Sequence, residues 1–187
     1  MKMHAHLVKA LLVFSMLGQV LQASAACDEA QNRAAAHLFF KAIDQGLLVG
    51  LPDQQGIEKL RPYITTNLRV MLEKASQAYR RLFEETKGQE APLLDGPLVV
   101  GIAEGYSNFY VSNAVKGREK SQVYVLFQFL NIDFITPNPP YVIDEWRGRV
   151  EVKQEGQKCL VNNVYHHFRN DRPNLIHILS HVPDRAQ

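Results

Sequence analysis

The sequence is short of the residues and spacings that announce chemistry. Of 187 residues only two are Cys and one is Trp. It has no glycine-rich phosphate loop, no G-x-S-x-G, no C-x-x-C and no H-E-x-x-H, so none of the reaction classes read from those local signatures is indicated. The one long apolar run, Ala10 to Leu21, is roughly half of the ~20 residues that a bilayer-spanning helix needs. No transmembrane segment is therefore expected. A charge excess is missing as well. Lys2 and Lys9 flank the start of that run, and no acid precedes Asp28. Without the first 25 residues the 21 Lys and Arg fall to 19, equal to the 19 Asp and Glu. A neutral chain gives no argument for nucleic-acid binding.

What is present begins with that leader. A basic start, an apolar run and the small triplet Ala23-Ser24-Ala25 read as a secretory signal over residues 1–25. Residues 26–187 then form one domain, long enough to bury roughly two thirds of its unfolded surface. The expected destination is the periplasm or the medium. There, Cys27 and Cys159 can pair as a disulfide closing a very long loop. The alternative is a lipid anchor on Cys27, although Ser24 stands where the usual attachment signal has Leu.

Along the chain the hydrophobic period changes once. Ala35, Leu38, Phe39, Ala42, Ile43 and Gly46 recur at helical spacing after Asp28, predicting a first helix to about Leu48. Ile57–Ile64 reads as a short helix disturbed by Pro62. A longer helix is expected from Thr66 or Asn67, with Leu68, Met71, Leu72, Ala75, Tyr79, Leu82 and Phe83 on one face, stopping before Lys87-Gly88. After Gly88 the period is two. Strands are predicted at Leu98–Ala103, Phe109–Lys116, Ser121–Asn131, Tyr141–Lys153 and Lys158–Phe168, with hairpin turns at GREK and EGQ. A last short helix should begin near Pro173 and run through Leu175, Ile176 and Leu179. Helices followed by a meander give an α+β class: N-terminal helices packed on a strongly curved, mainly antiparallel sheet, with a short C-terminal helix.

Three stretches carry a resemblance. They are YITTNLRVMLEKA (63–75), LLDGPLVVGIAEGYSNFYV (93–111) and the final hairpin from Trp146 to Tyr165. In these the chain resembles a family of secreted bacterial proteins of unassigned function with a nuclear-transport-factor-two-like, cone-shaped fold. It departs from that pattern in having Cys159-Leu160 where a Trp is expected before the last strand. Asn162-Asn163 also stands where consecutive acids are usual. The resemblance implies a cavity, bounded by sheet and helices, that serves catalysis in some members and binding in many others.

Candidate residues follow from strand parity. Val142, Asp144, Trp146, Gly148, Val150 and Val152 share one face, and Tyr141, Ile143, Glu145, Arg147, Arg149 and Glu151 the other. Asp144 or His166 could act as a base, with Tyr124 or Tyr165 orienting a substrate, as in a small isomerase or dehydratase. Aromatic area at Tyr106, Tyr124, Phe127 and Trp146, with His166, suits binding instead. By parity His166 groups with Leu160, Val164 and Phe168. His166 and His167 point to opposite faces, and His177 with His181 lacks a third ligand, so no metal site is expected and no cofactor is implied. The leading expectation is a non-enzymatic binding protein. It would take a protein partner, as an immunity or accessory protein neutralising a toxin, or a small apolar ligand in the cavity. The enzyme is the alternative, and a sheet-to-sheet homodimer is a third arrangement.

Overall fold

The computed structural model describes residues 26–46, 50–88, 108–112, 122–131, 141–165 and 174–182. The leader, the strand expected at Leu98–Ala103, the GREK turn, and Tyr106, His166, His167 and Phe168 lie outside them. Among the described residues the architecture is α+β, with three helices, a four-stranded sheet and a short last helix.

Helix α1 spans Glu29–Gly46. Its start is a capping box, in which the Gln31 N–H donates to Asp28 Oδ1 (2.7 Å) and the Asp28 N–H donates to Gln31 Oε1 (2.9 Å). Its buried stripe is Asn32, Ala35, Ala36, Phe39, Phe40 and Ile43. Leu38, expected on that stripe, is 47% exposed. It lies about 100° around the helix from Phe39, on the flank away from Ala36 and Phe40.

Helix α2, Gln54–Leu60, is capped by Asp53, whose Oδ1 accepts from the Gly56 N–H. It begins and ends earlier than the expected Ile57–Ile64. Pro62 has no N–H with which to continue the helical ladder, and Ile64 pairs instead with Val161 in a short parallel bridge. Helix α3, Thr66–Glu85, starts at the expected place, its Thr65 hydroxyl accepting from the Leu68 N–H. Leu68, Leu72, Ala75 and Ala78 are buried, whereas Phe83 in the last turn is 48% exposed. The helix ends as a Schellman motif: the Gly88 N–H reaches the Phe83 carbonyl and the Lys87 N–H that of Glu84.

Strands β1 (Asn108–Val111), β2 (Gln122–Asn131), β3 (Tyr141–Glu155) and β4 (Lys158–Tyr165) form an antiparallel meander in the order β1-β2-β3-β4. The β3–β4 turn, Gly156-Gln157, has its positive φ (62°) at Gly156, the first loop position, as a type II′ turn requires. Side chains alternate as parity predicts. Val123, Val125, Phe127, Val150 and Val152 are buried beneath α1, where Phe40 meets Phe127 edge-on at 5.1 Å. Phe127 also lies against Gly148: a Cβ there would stand 3.0 Å from its ring.

Two irregularities reset this alternation. One lies between Phe129 and Leu130 on β2, the other between Glu151 and Val152 on β3. At the second, Glu151 faces Asn163 and Val152 faces Val161, leaving Asn162 as the extra residue. Val161 and Val164 consequently both reach the core, and Leu160 pairs with Lys153. The parity that grouped Leu160 with Val164 does not survive the bulge. The backbone of Val161 turns to the chain before α3, donating to the Tyr63 carbonyl and accepting from the Thr65 N–H, each at 2.9 Å.

Helix α4, Leu175–His181, is capped by Asn174 and packs on β4 and α3. Cys27, just before α1, is bridged to Cys159 in β4, with Cα atoms 6.0 Å apart and 132 residues between them in sequence. The disulfide expectation holds, and Cys27 has no free thiol to carry a lipid. Such a bridge suits an oxidising compartment. Among the described residues no helix is long and apolar enough to cross a membrane.

Candidate functional site

Because α1 covers one side of the sheet, chemistry-bearing side chains collect on the other. Cross-strand pairing places Tyr124, Arg149 and Tyr165 in one row, Tyr110, Leu126 and Arg147 in the next, and Gln128 beside Glu145. Tyr110, Glu145, Arg147 and Lys153 are exposed, and Tyr124, Leu126, Arg149, Glu151 and Tyr165 are partly so.

The centre is the Arg149–Tyr165 pair. The guanidinium carbon lies 4.2 Å from the centre of the Tyr165 ring, within range of a cation–π contact. Arg149 Nε is buried with no hydrogen-bond partner among the described residues. That costs free energy, since burial has removed its water without a replacement acceptor. Glu151 is the neighbouring acid. One oxygen pairs with Lys153 Nζ at 3.1 Å, and the other accepts a long 3.5 Å contact from the Tyr165 hydroxyl. Burial raises the Tyr165 pKa above its ordinary 10.0, and the negative charge of Glu151 raises it further. Arg149 and a hydrogen bond with Asn163 offset part of this. The phenol is therefore neutral at physiological pH and can donate a hydrogen bond, but it is no base.

Of the expected catalytic residues, Asp144 is placed by register alone. Asp144 stands opposite Phe129, in step with Phe127–Trp146, and so has the parity of Val150. Tyr124 and Tyr165 have that of Arg149. The strand pattern joins the two tyrosines in one row and leaves Asp144 out of it. Trp146 is placed only by register, opposite Phe127. Of the expected binding residues, Phe127 is 1% exposed and belongs to the core cluster with Phe40. Tyr124 lies on the open side, its carbonyl accepting from the Ser112 N–H and hydroxyl. Tyr106 and His166 fall outside the described residues.

Two residues that sequence reasoning treated as departures carry structural work. Asn162, displaced into the bulge and buried, accepts from the Thr65 hydroxyl at 3.1 Å, so it supports the residue that caps α3. Asn163, also buried, uses Oδ1 to accept from the Ile176 N–H at 3.1 Å, tying the first turn of α4 to the sheet. Only their apolar setting, Leu160-Val161 before and Val164 after, hinted at this. Glu155 was missed too. Its carboxylate accepts from the N–H and hydroxyl of Thr66 at the start of α3, where negative charge is favoured.

His177 and His181 are exposed on α4 with ring centres 4.3 Å apart. Among the described residues no group of three or more His, Cys, Asp or Glu could hold a metal ion. Comparison with known proteins finds no matching family model, no similar curated protein and no similar solved structure.

Proposed function

We propose that this is a non-enzymatic binding protein of the periplasm or the medium, with its sheet curled into a nuclear-transport-factor-two-like cone. It engages a partner protein across the side of the sheet opposite α1. The role that best suits that compartment is an immunity or accessory protein that neutralises a secreted toxin. One observation carries the reading. The side beneath α1 is filled by its own apolar side chains, Phe40, Val123, Phe127 and Val150 each being at most 1% exposed, whereas the open side presents Tyr110, Tyr124, Arg147, Arg149 and Tyr165. Tyr and Arg supply a disproportionate share of binding energy at protein interfaces. The disulfide and the secretory leader read from the sequence support the location.

The test uses the mature, oxidised protein as bait in secreted and periplasmic fractions, beside the triple variant Tyr110→Ala/Arg147→Ala/Arg149→Ala. A stoichiometric protein held by the wild type and lost by the variant, with the melting temperature kept within a few degrees, is the expected result. A retained small molecule without a protein partner would overturn the reading in favour of a cavity ligand or an isomerase- or dehydratase-type substrate. A partner held equally by both proteins would move the interface elsewhere, and self-association alone would indicate a homodimer.

A further inference from the structure

The exposed histidines of α4 are presented with more order than a chance pair. Leu175, Leu179 and Val182 bury one side of the helix. Asn174 Oδ1 caps it by accepting from the His177 N–H at 2.9 Å, and Asn163 Oδ1 accepts from the neighbouring N–H, that of Ile176. The two imidazoles thus stand on a helix fixed to β4 and α3, on the side away from the core. His181 Nδ1 lies 2.8 Å from the His177 carbonyl oxygen. A carbonyl can only accept, so Nδ1 carries the proton and Nε2 keeps the lone pair. Ser180 Oγ donates to the same carbonyl at 2.8 Å and lies 3.1 Å from Nδ1. A histidine that donates its second N–H to a backbone carbonyl has the orientation and tautomer found in metal-ligating imidazoles. The ring nitrogens of His177 have no hydrogen bond among the described residues.

We propose that His177 and His181 form a two-imidazole chelating site for a divalent late transition metal, with copper(II) preferred. A metal at ~2.0–2.1 Å from each nitrogen sits about 3.2 Å from each ring centre. Ring centres 4.3 Å apart are close enough for one nitrogen of each imidazole, turned toward a common point, to share such a metal. Copper(II) binds nitrogen donors most tightly of the divalent first-row ions. The remaining coordination positions stay open to water. The inference is independent of the proposed sheet interface, since it rests on a different element and on different residues.

Copper(II) itself is the probe. The mature, disulfide-bonded protein is titrated at neutral pH beside His177→Ala, His181→Ala and the double variant, with electron paramagnetic resonance of the loaded samples. Both residues are exposed, so the metal-free melting temperatures should coincide. The wild type should bind one more copper(II) than the double variant, with a tetragonal spectrum showing nitrogen coupling. Each single variant should weaken that site at least about tenfold, because chelation makes the second bond intramolecular. Equal binding by wild type and double variant would overturn the proposal. Loss in only one single variant, or an extra site lacking nitrogen coupling, would do so as well.

Discussion

The two sides of the sheet are built from the same strands, one residue out of step, and they have opposite characters. Val123, Val125, Phe127, Val150 and Val152 are packed under α1 and nearly inaccessible. Between them in sequence, Tyr124, Leu126, Arg147, Arg149 and Glu151 face out, one of them with an unsatisfied buried nitrogen. The apolar side gains stability from every residue. On the other side the buried Arg149 Nε has no acceptor among the described residues, which lowers stability and suits a side chain that serves recognition more than folding. The contrast therefore predicts that stability and binding can be separated by strand parity alone.

The strongest way to break the contrast is to release α1 from the sheet. The Cys27–Cys159 bridge holds the start of α1 against β4 across 132 residues of sequence. For a loop of that length the chain-entropy model gives about 4–5 kcal/mol as an upper figure. Cys27→Ala/Cys159→Ala should lose most of that in denaturant unfolding, and the intact mass of the native protein should lie two hydrogens below the reduced chain. A double variant as stable as the native protein would show that α1 is held by packing alone. The next test compares neighbours. Phe127→Ala should cost about 3–5 kcal/mol, while Leu126→Ala, one residue away and partly exposed, should cost about 1 kcal/mol or less. Similar losses at the two positions would mean that the open side is covered in solution.

Much of this division was legible in the sequence, because period two needs only the order of residues. The α+β order, β2, the β3–β4 hairpin with its turn, the start and stop of α3, the last helix and the disulfide all follow from local signals. What failed was long-range. The bulge at Asn162 depends on Val161 bonding to Tyr63 and Thr65, nearly a hundred residues earlier, and no local pattern announces it. That one displaced residue changed the parity of β4, undid the grouping of Leu160 with Val164, and turned Asn162 and Asn163 from missing acids into buried acceptors for Thr65 and Ile176. At the candidate site the sequence already put Asp144 and Arg149 on opposite parities, and the cross-strand register adds which residues line up with them. Tyr124 and Tyr165 share a row with Arg149, whereas the Asp144 meant to work with them has the other parity.

A smaller effect sharpens the contrast at Tyr165. Its folded pKa is raised above 10.0, chiefly by burial and then by Glu151. As pH rises past 10.0 the unfolded chain gives up this proton first, so the unfolded state is favoured and stability falls; below that pH the residue adds no slope. Wild-type unfolding free energy should therefore decline more steeply above pH 10 than that of Tyr165→Phe, and the two should run parallel at neutral pH. Identical alkaline slopes would mean that the phenol is as well solvated in the folded protein as in the unfolded chain.

The smallest expected change is the most discriminating. Arg149→Met keeps the apolar stem over Tyr165 and removes both the unsatisfied nitrogen and the cation–π contact. The first change favours the variant, the second costs about 0.5–1 kcal/mol at a partly exposed site, and the sum should lie within about 1 kcal/mol of zero. Chemical denaturation measures it. A loss above about 2 kcal/mol would make Arg149 part of the structural network that includes Glu151 and Lys153, and the open side would then be a second stabilising layer. A neutral result leaves a guanidinium that the fold does not need, on the side of the sheet where a partner's acceptor could satisfy it.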